Sequence, residues 1–514
     1  MILGSTTSVA LAGLEGRAVK VEAQLSSSLP GLIVSGLPDA ACRQAPERVR
    51  AACTSAGAPL PPKKIVVNLS PASVPKSGTG FDLGIALAIL AAGGTVRQEA
   101  CGGVVHLGEL GLDGSVRGVI GILPAVRYAA RSGLRDAVVP LDNGAEARIV
   151  EGIRIHPVAS LADVIQLYAD HGPPDRWPPP AVVTPSAPAE PRPVPDLADI
   201  VGQSEARLAV ELAAAGGHHL LLSGPPGSGK TMLAERMVGV LPPLGFDAAV
   251  EVHSIRSLQG DTRAGGPLDL RPPFVAPHHG SSLAAMVGGG SGTIRPGAVS
   301  AAHRGLLFLD EAPEFRNDVL QSLRQPLERG RVVIARARET VTFPARFQLV
   351  LAANPCPCGY GSGKALRCTC SPQRRRAYAA RLRGPLLDRV DLQVHVPAVT
   401  RSRSVGIVGE GSDAVAARVA SARWAAVERW REHGWERNAD VPGPLLRTGR
   451  FALPRSVTNA LDLALESGRL TLRGYDRTIR LAWTHADVQG RLAPTAEDVG
   501  IALMLRTNER ETAA

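Results

Sequence analysis

One stretch constrains this chain more than any other: Gly224-Pro225-Pro226-Gly227-Ser228-Gly229-Lys230-Thr231. An apolar run, Leu220–Leu222, precedes it, and helix-forming sequence, Met232–Val240, follows. Strand, glycine loop and helix stand in the order that G-x-x-x-x-G-K-S/T requires. Gly224, Gly227 and Gly229 carry no Cβ, so backbone N–H groups can close on an anion. The helix N-terminus adds partial positive charge. Lys230 can reach the β- and γ-phosphates of a nucleotide, and the Thr231 hydroxyl can ligate Mg²⁺. ATP and Mg²⁺ are therefore the expected ligands.

Two later segments have the pattern of buried strands that end in one useful group. Gly305-Leu-Leu-Phe-Leu-Asp310-Glu311 is four apolar residues followed by two acids. At the tip of a central strand Asp310 would hold Mg²⁺ with Thr231, and Glu311 would polarise an attacking water. Phe347–Asn354 is an apolar strand ending in an amide. Asn354 there can hydrogen-bond the γ-phosphate or position the water. Arg389, in Gly384-Pro-Leu-Leu-Asp-Arg389, and Arg473, in Leu472-Arg473-Gly, could face the charge of a transferring phosphoryl. Sequence does not separate this from a structural salt bridge, which is the commoner role for an arginine.

At 514 residues the chain exceeds one core, and about three domains are expected. Residues 1–169 have mixed α/β patterning. Strands are expected at Ser8–Leu11, Leu32–Ser35, Ile65–Leu69 and Gly103–Leu107, and helices at Asp39–Ala56, Phe81–Ala92 and Leu123–Ser132. Residues 170–197 are Pro-rich and form an extended linker. Residues 198–397 alternate strand and helix, the pattern of a parallel sheet with helices on both faces. Residues 398–514 have helical spacing at Val415–His433, Ser456–Ser467, Tyr475–Gln489 and Ala496–Thr507, after a Gly/Ser-rich loop at Thr400–Asp413. They are expected to make a helical lid. No apolar run is long enough to span a bilayer, and Met1–Gly13 has no basic leader. A cytoplasmic protein without a membrane partner is expected.

The net charge is +10, and twelve Lys/Arg against two Asp/Glu between Arg331 and Arg389 supply a surplus that large by themselves. A local basic zone suits a polyanion, or is a solvated face.

The ordered motifs, together with Gly36–Ala40, Val67–Pro71, Ala276-Pro-His-His279, Arg295-Pro-Gly297, Leu323–Glu328 and Asn354-Pro-Cys-Pro-Cys-Gly359, resemble the YifB/ComM family. That family is a magnesium-chelatase-like branch of the AAA+ ATPases, and the resemblance covers nearly the whole chain. It implies a P-loop AAA+ module with a helical lid, preceded by a Lon-protease-like α+β domain. It implies that Arg389 is an arginine finger given to a neighbouring subunit and that Arg473 is the second sensor. A finger in trans implies a ring, usually a homo-hexamer.

In this branch a hairpin before the first sensor points into the pore. Here two β-branched runs flank Ala335–Thr340, so the tip would carry Arg336 and Arg338. Arginines track phosphates without reading sequence, and the tip lacks the aromatic pair expected of a protein-threading pore. DNA, single-stranded or branched, is the expected cargo, and branch migration in recombination or natural transformation the implied task. A chelatase-type motor acting on a partner protein, or an unfoldase, is the alternative.

Cys356, Cys358, Cys368 and Cys370 could ligate one structural Zn²⁺, or be reduced or redox-labile thiols. Cys42, Cys53 and Cys101 are expected in cores. In the Lon-like domain the nucleophile position falls on Gly80 and the lysine position on Leu123, so the domain is expected to be catalytically dead. His278 and His279 receive no role from sequence.

Overall fold

The computed structural model describes residues 3–178, 195–261, 268–290, 293–336, 339–361, 368–382, 386–398 and 409–506. Arg338, Gly384 and most of the Thr400–Asp413 loop lie outside the described residues.

Alternating burial along Leu3–Ala12 and Glu15–Ser26 makes two long antiparallel strands joined by a turn at Gly13. They are central in a seven-stranded mixed sheet. Its order is Gly31–Ser35, Lys64–Ser70, Glu15–Ser26, Leu3–Ala12, Val104–His106, Asp136–Pro140, Arg154–Val158. Helix Asp82–Gly93 is buried along its length against the first two strands, which explains why its sequence shows no polar face. The expected helix Asp39–Ala56 is broken into Ala40–Arg43 and Ala45–Ser55, because Pro46 starts a new helix and cannot continue the old one.

The first residues of the expected linker are folded. Helix Leu161–His171 runs past residue 170, and Trp177 returns to the domain. Its ring stands edge-on to His156 at 4.6 Å and to Tyr168 at 5.1 Å, and its Nε1 donates to the Gly172 carbonyl. One large aromatic outweighs the extended tendency of the prolines around it.

The second sheet has five parallel strands, in the order Phe274–Val275, Leu306–Leu309, Gln348–Ala353, Leu220–Ser223, Leu392–His395. The three inner strands are near-continuous apolar runs, as strands covered on both faces must be, whereas the edge strand Leu392–His395 alternates Leu, Gln, Val, His. Residues alternate between two cores. Leu220, Leu222, Phe308, Val350 and Val394 face helix Ser204–Gly216 and the C-terminal helices. Leu221, Leu307, Leu309, Leu349 and Leu351 face Val299, Val319, Leu320 and Leu323.

Helices Ser412–Trp430, Arg455–Glu466, Leu472–Val488 and Ala496–Arg506 share the first core. They are fastened at the N-terminal ends of the strands. His218 Nε2 bonds Thr484 Oγ1 at 2.7 Å, Asp391 accepts from the His219 N–H at 2.9 Å and pairs with Arg477, and Arg506 donates to the Val390 carbonyl. Burial alone would raise the Asp391 carboxyl, but the Arg477 guanidinium overcomes it and holds Asp391 well below the usual carboxylate range.

The two sheets' domains touch through helix Phe246–Gln259 and a hairpin of Arg331–Ala335 and Thr340–Pro344. The Gly121 N–H donates to the Ser257 carbonyl at 3.3 Å. A Cβ on Gly13 would stand 2.7 Å from the Thr342 carbonyl oxygen, so this contact requires glycine.

Burial pushes His106 and His218 down to about 4, so both rings are neutral in the fold. The unfolded chain protonates them from about pH 6.5, so stability held above that pH is lost as pH falls toward 4. The unfolding free energy from urea titration should fall by up to about 1.4 kcal/mol per pH unit per ring between about pH 6.5 and pH 4. His218→Gln should destabilise at pH 7 and make the acid dependence shallower; an unchanged pH slope would count against this origin.

Candidate nucleotide site

Three of the sequence motifs leave the C-terminal tips of three adjacent parallel strands. Register makes this so: Ser223 pairs with Ala353, and Leu309 with Leu351. The glycine loop therefore emerges beside Asn354, and Asp310 one strand further on. Within the loop Gly227 and Gly229 have φ of +72° and +94°, a backbone that a side chain would strain.

Lys230 is the centre of the arrangement. Its Nζ donates to the carbonyls of Gly224 at 2.8 Å and Pro225 at 2.9 Å, and to Asn354 Oδ1 at 3.1 Å. Burial lowers its pKa, while Asp310 and Glu311 oppose the shift. Thr231 Oγ1 donates to Asp310 Oδ2 at 2.9 Å. A hydroxyl and a carboxylate in contact at a helix start are the oxygen donors Mg²⁺ takes alongside phosphate and water, so the residues fit the ion. Gln203 closes the back of the loop by donating to the Pro397 carbonyl at 2.7 Å.

Glu311 takes φ +50°, an uncommon backbone for a non-glycine residue, and its N–H donates to Asp310 Oδ1 at 2.9 Å. Its carboxylate is paired from outside the three motifs. His279 Nδ1 lies 3.4 Å from Glu311 Oε2, and its ring lies tilted against His278 with centroids 4.1 Å apart. His279 follows the edge strand Phe274–Val275, so the sheet brings it to Glu311 across a long loop. Sequence reading had no signal for this pairing beyond the Ala276-Pro-His-His279 motif itself.

Arg389 and Arg473 do not join this group. Arg389 is 7% exposed, and its guanidinium pairs with Glu328. It precedes strand Leu392–His395, whereas Lys230 follows strand Leu220–Ser223. The two sites are thus at opposite edges of the parallel sheet, about 13 Å apart along a four-residue strand. Arg473 is exposed on the first turn of helix Leu472–Val488. Both arginines line a cleft of about 830 Å³ together with Arg324, Gln325, Glu328 and Asp388. A smaller adjoining cleft adds Arg477 and Arg480. No glycine-loop residue lines either cleft.

The chain matches the family models described as Magnesium chelatase, subunit ChlI, over residues 196–404, Subunit ChlI of Mg-chelatase over 21–143, and Magnesium chelatase, subunit ChlI C-terminal, over 409–506. An uncharacterized protein of Mycobacterium tuberculosis (strain ATCC 25618 / H37Rv) is 48% identical over 98% of this chain and 99% of its own. Uncharacterized protein YifB of Escherichia coli (strain K12) is 38% identical over 97% and 96%, and Competence protein ComM of Haemophilus influenzae (strain ATCC 51907 / DSM 11121 / KW20 / Rd) 38% over 95% and 94%. The chain belongs to the YifB/ComM family of magnesium-chelatase-like AAA+ proteins. Membership points to an ATPase that uses ATP and Mg²⁺. Among the described residues no helix is long and apolar enough to cross a membrane.

His279→Ala should lower the ATP turnover number by about two- to five-fold with little change in nucleotide affinity, the size of one lost half-exposed ion-pair contact. Equal loss in affinity and turnover would assign His279 to binding instead.

Proposed function

We propose that the protein is an ATP-driven, homo-hexameric DNA motor, a branch-migration helicase acting in recombination or natural transformation. The observation that carries the reading is the Arg331–Pro344 hairpin. It is antiparallel from Arg331↔Pro344 to Ala335↔Thr340, and Arg336 stands exposed at its tip. Three residues separate it from the strand Gln348–Ala353, which Asn354 directly follows. A change at the γ-phosphate reaches the tip through one short, stiff path. The tip sequence Ala335–Thr340 has no aromatic residue to grip a polypeptide, and its arginines suit phosphates.

In each protomer Thr231 and Asp310 would hold Mg²⁺, which would supply positive charge to offset that of the nucleotide's phosphates. Lys230 exchanges its loop carbonyls for phosphate oxygens. Glu311 takes a proton from the attacking water, and Asn354 orients that water. Arg389 and Arg473, remote from their own glycine loop, serve the nucleotide of a neighbouring protomer. The N-terminal domain, read as Lon-protease-like, has no hydroxyl at Gly80 and no amine at the buried Leu123, so it contributes contact and not peptide cleavage.

A second reading has support in the family models' description: a chelatase-type motor that remodels a partner protein. ATP turnover measured with and without single-stranded, duplex and four-way DNA separates the two. Several-fold stimulation by DNA is expected, and turnover indifferent to every DNA would favour the partner-protein reading.

Mixing Arg389→Ala with Lys230→Ala protein should restore part of the activity that each lacks alone, because some interfaces then combine two intact halves. No recovery would remove the finger in trans. Arg336→Ala with Arg338→Ala should weaken DNA binding and reduce the slope of log K against log salt by about 0.7–0.9 per lost phosphate contact.

A further inference from the structure

Four cysteines from the loop after Asn354 converge. Cys356 Sγ lies 3.2 Å from Cys358 Sγ and 3.7 Å from Cys368 Sγ, and Cys358 Sγ lies 3.6 Å from Cys368 Sγ. With Cys370 all four sulfurs fall within 4.8 Å of one another. Sulfurs at the corners of a tetrahedron around Zn²⁺, with Zn–S of about 2.3 Å, stand about 3.8 Å apart. The observed spacings approach that edge length. An iron–sulfur cluster would spread its four thiolates wider than one ion does.

The knuckle is wedged between parts of the nucleotide site. A Cβ on Gly359 would meet Pro226 Cγ of the glycine loop at 2.5 Å, so this turn lies directly on the loop. A Cβ on Gly361 would meet Cys356 Sγ at 2.9 Å and Arg375 Cδ at 3.7 Å. Helix Pro372–Ala380 begins two residues after Cys370, capped by Ser371. Beyond it Arg381 donates to the Pro313 carbonyl at 2.9 Å, in the segment that follows Glu311.

We propose that Cys356, Cys358, Cys368 and Cys370 bind one structural Zn²⁺, and that this clip holds the Asn354 end of its strand and the glycine loop in register for nucleotide. Four S–H bonds are exchanged for four Zn–S bonds, four protons go to solvent, and nothing is oxidised. All four positions are filled by sulfur, so no metal-bound water is available for chemistry. The Zn²⁺ and four thiolates leave two negative charges, with Arg375 alongside. The proposal rests on the ATP-site reading and is independent of DNA.

The test uses the full chain, purified without a metal-affinity tag and without added zinc. Elemental analysis should find about one zinc per chain and no iron. Mercurial titration of the thiols in the folded protein should release the zinc. Less than about a third of an atom per chain, or iron in its place, overturns the site. Binding of a fluorescent ATP analogue is then compared before stripping, after stripping, and after zinc is restored, with far-ultraviolet circular dichroism recorded at each stage. Roughly tenfold weaker binding that returns with zinc supports the clip. Unchanged affinity in stripped protein overturns the clip. Cys358→Ser should lose zinc and bind nucleotide as the stripped protein does; full zinc content in that variant also overturns the ligand set. DNA-stimulated turnover tests the motor separately, so either idea can fail alone.

Discussion

Lys230 ties the nucleotide site to the sheet. Its ammonium reaches two carbonyls of its own loop and the amide of Asn354 on the neighbouring strand. That reach exists only because strands Leu220–Ser223 and Gln348–Ala353 are parallel and in register, so that both end at the same level. A parallel sheet needs apolar cover on both faces. The helices that supply the cover hold the strand tips still, and the site inherits their rigidity.

The same sheet separates the molecule's two charged centres. At one edge are Lys230, Thr231, Asp310, Glu311 and Asn354. At the other, Asp391 and Arg477 fasten the C-terminal helices, and Arg389 and Arg473 open onto a cleft. A lid helix whose root is pinned at the N-terminal ends of the strands cannot swing its arginine over its own glycine loop without breaking a buried ion pair. Removing one partner of such a pair costs on the order of 3–5 kcal/mol. The proposed role of Arg389 and Arg473 at a neighbouring protomer rests on where the lid is anchored.

The N-terminal domain is fitted to this machinery by close backbone contacts. Gly13 lies against the hairpin at Thr342, and Gly121 bonds Ser257 on helix Phe246–Gln259. Val341 and Phe343 are buried with Ile294 along the hairpin's second strand, so its stem is held from two sides while Ala335, Arg336 and Thr340 stay exposed.

Much of this was legible from residues alone. The glycine loop, the strand leading to Asp310–Glu311 and the strand leading to Asn354 announce themselves because buried strands are apolar runs and a polar group at their tips stands out. Helices 412–430, 472–488 and 496–506 follow from their spacing. Less was legible where packing overrode local preference, as in the return of Trp177 out of a Pro-rich stretch. Sequence determined which chemistry each strand tip carries, since that depends on residue type next to an apolar run. Only the tertiary structure decided which groups meet. His279 reaches Glu311, the four cysteines close on one point, and Arg389 and Arg473 turn away from Lys230. Those outcomes depend on strand order and on the edge where the lid is rooted, and no local pattern encodes them.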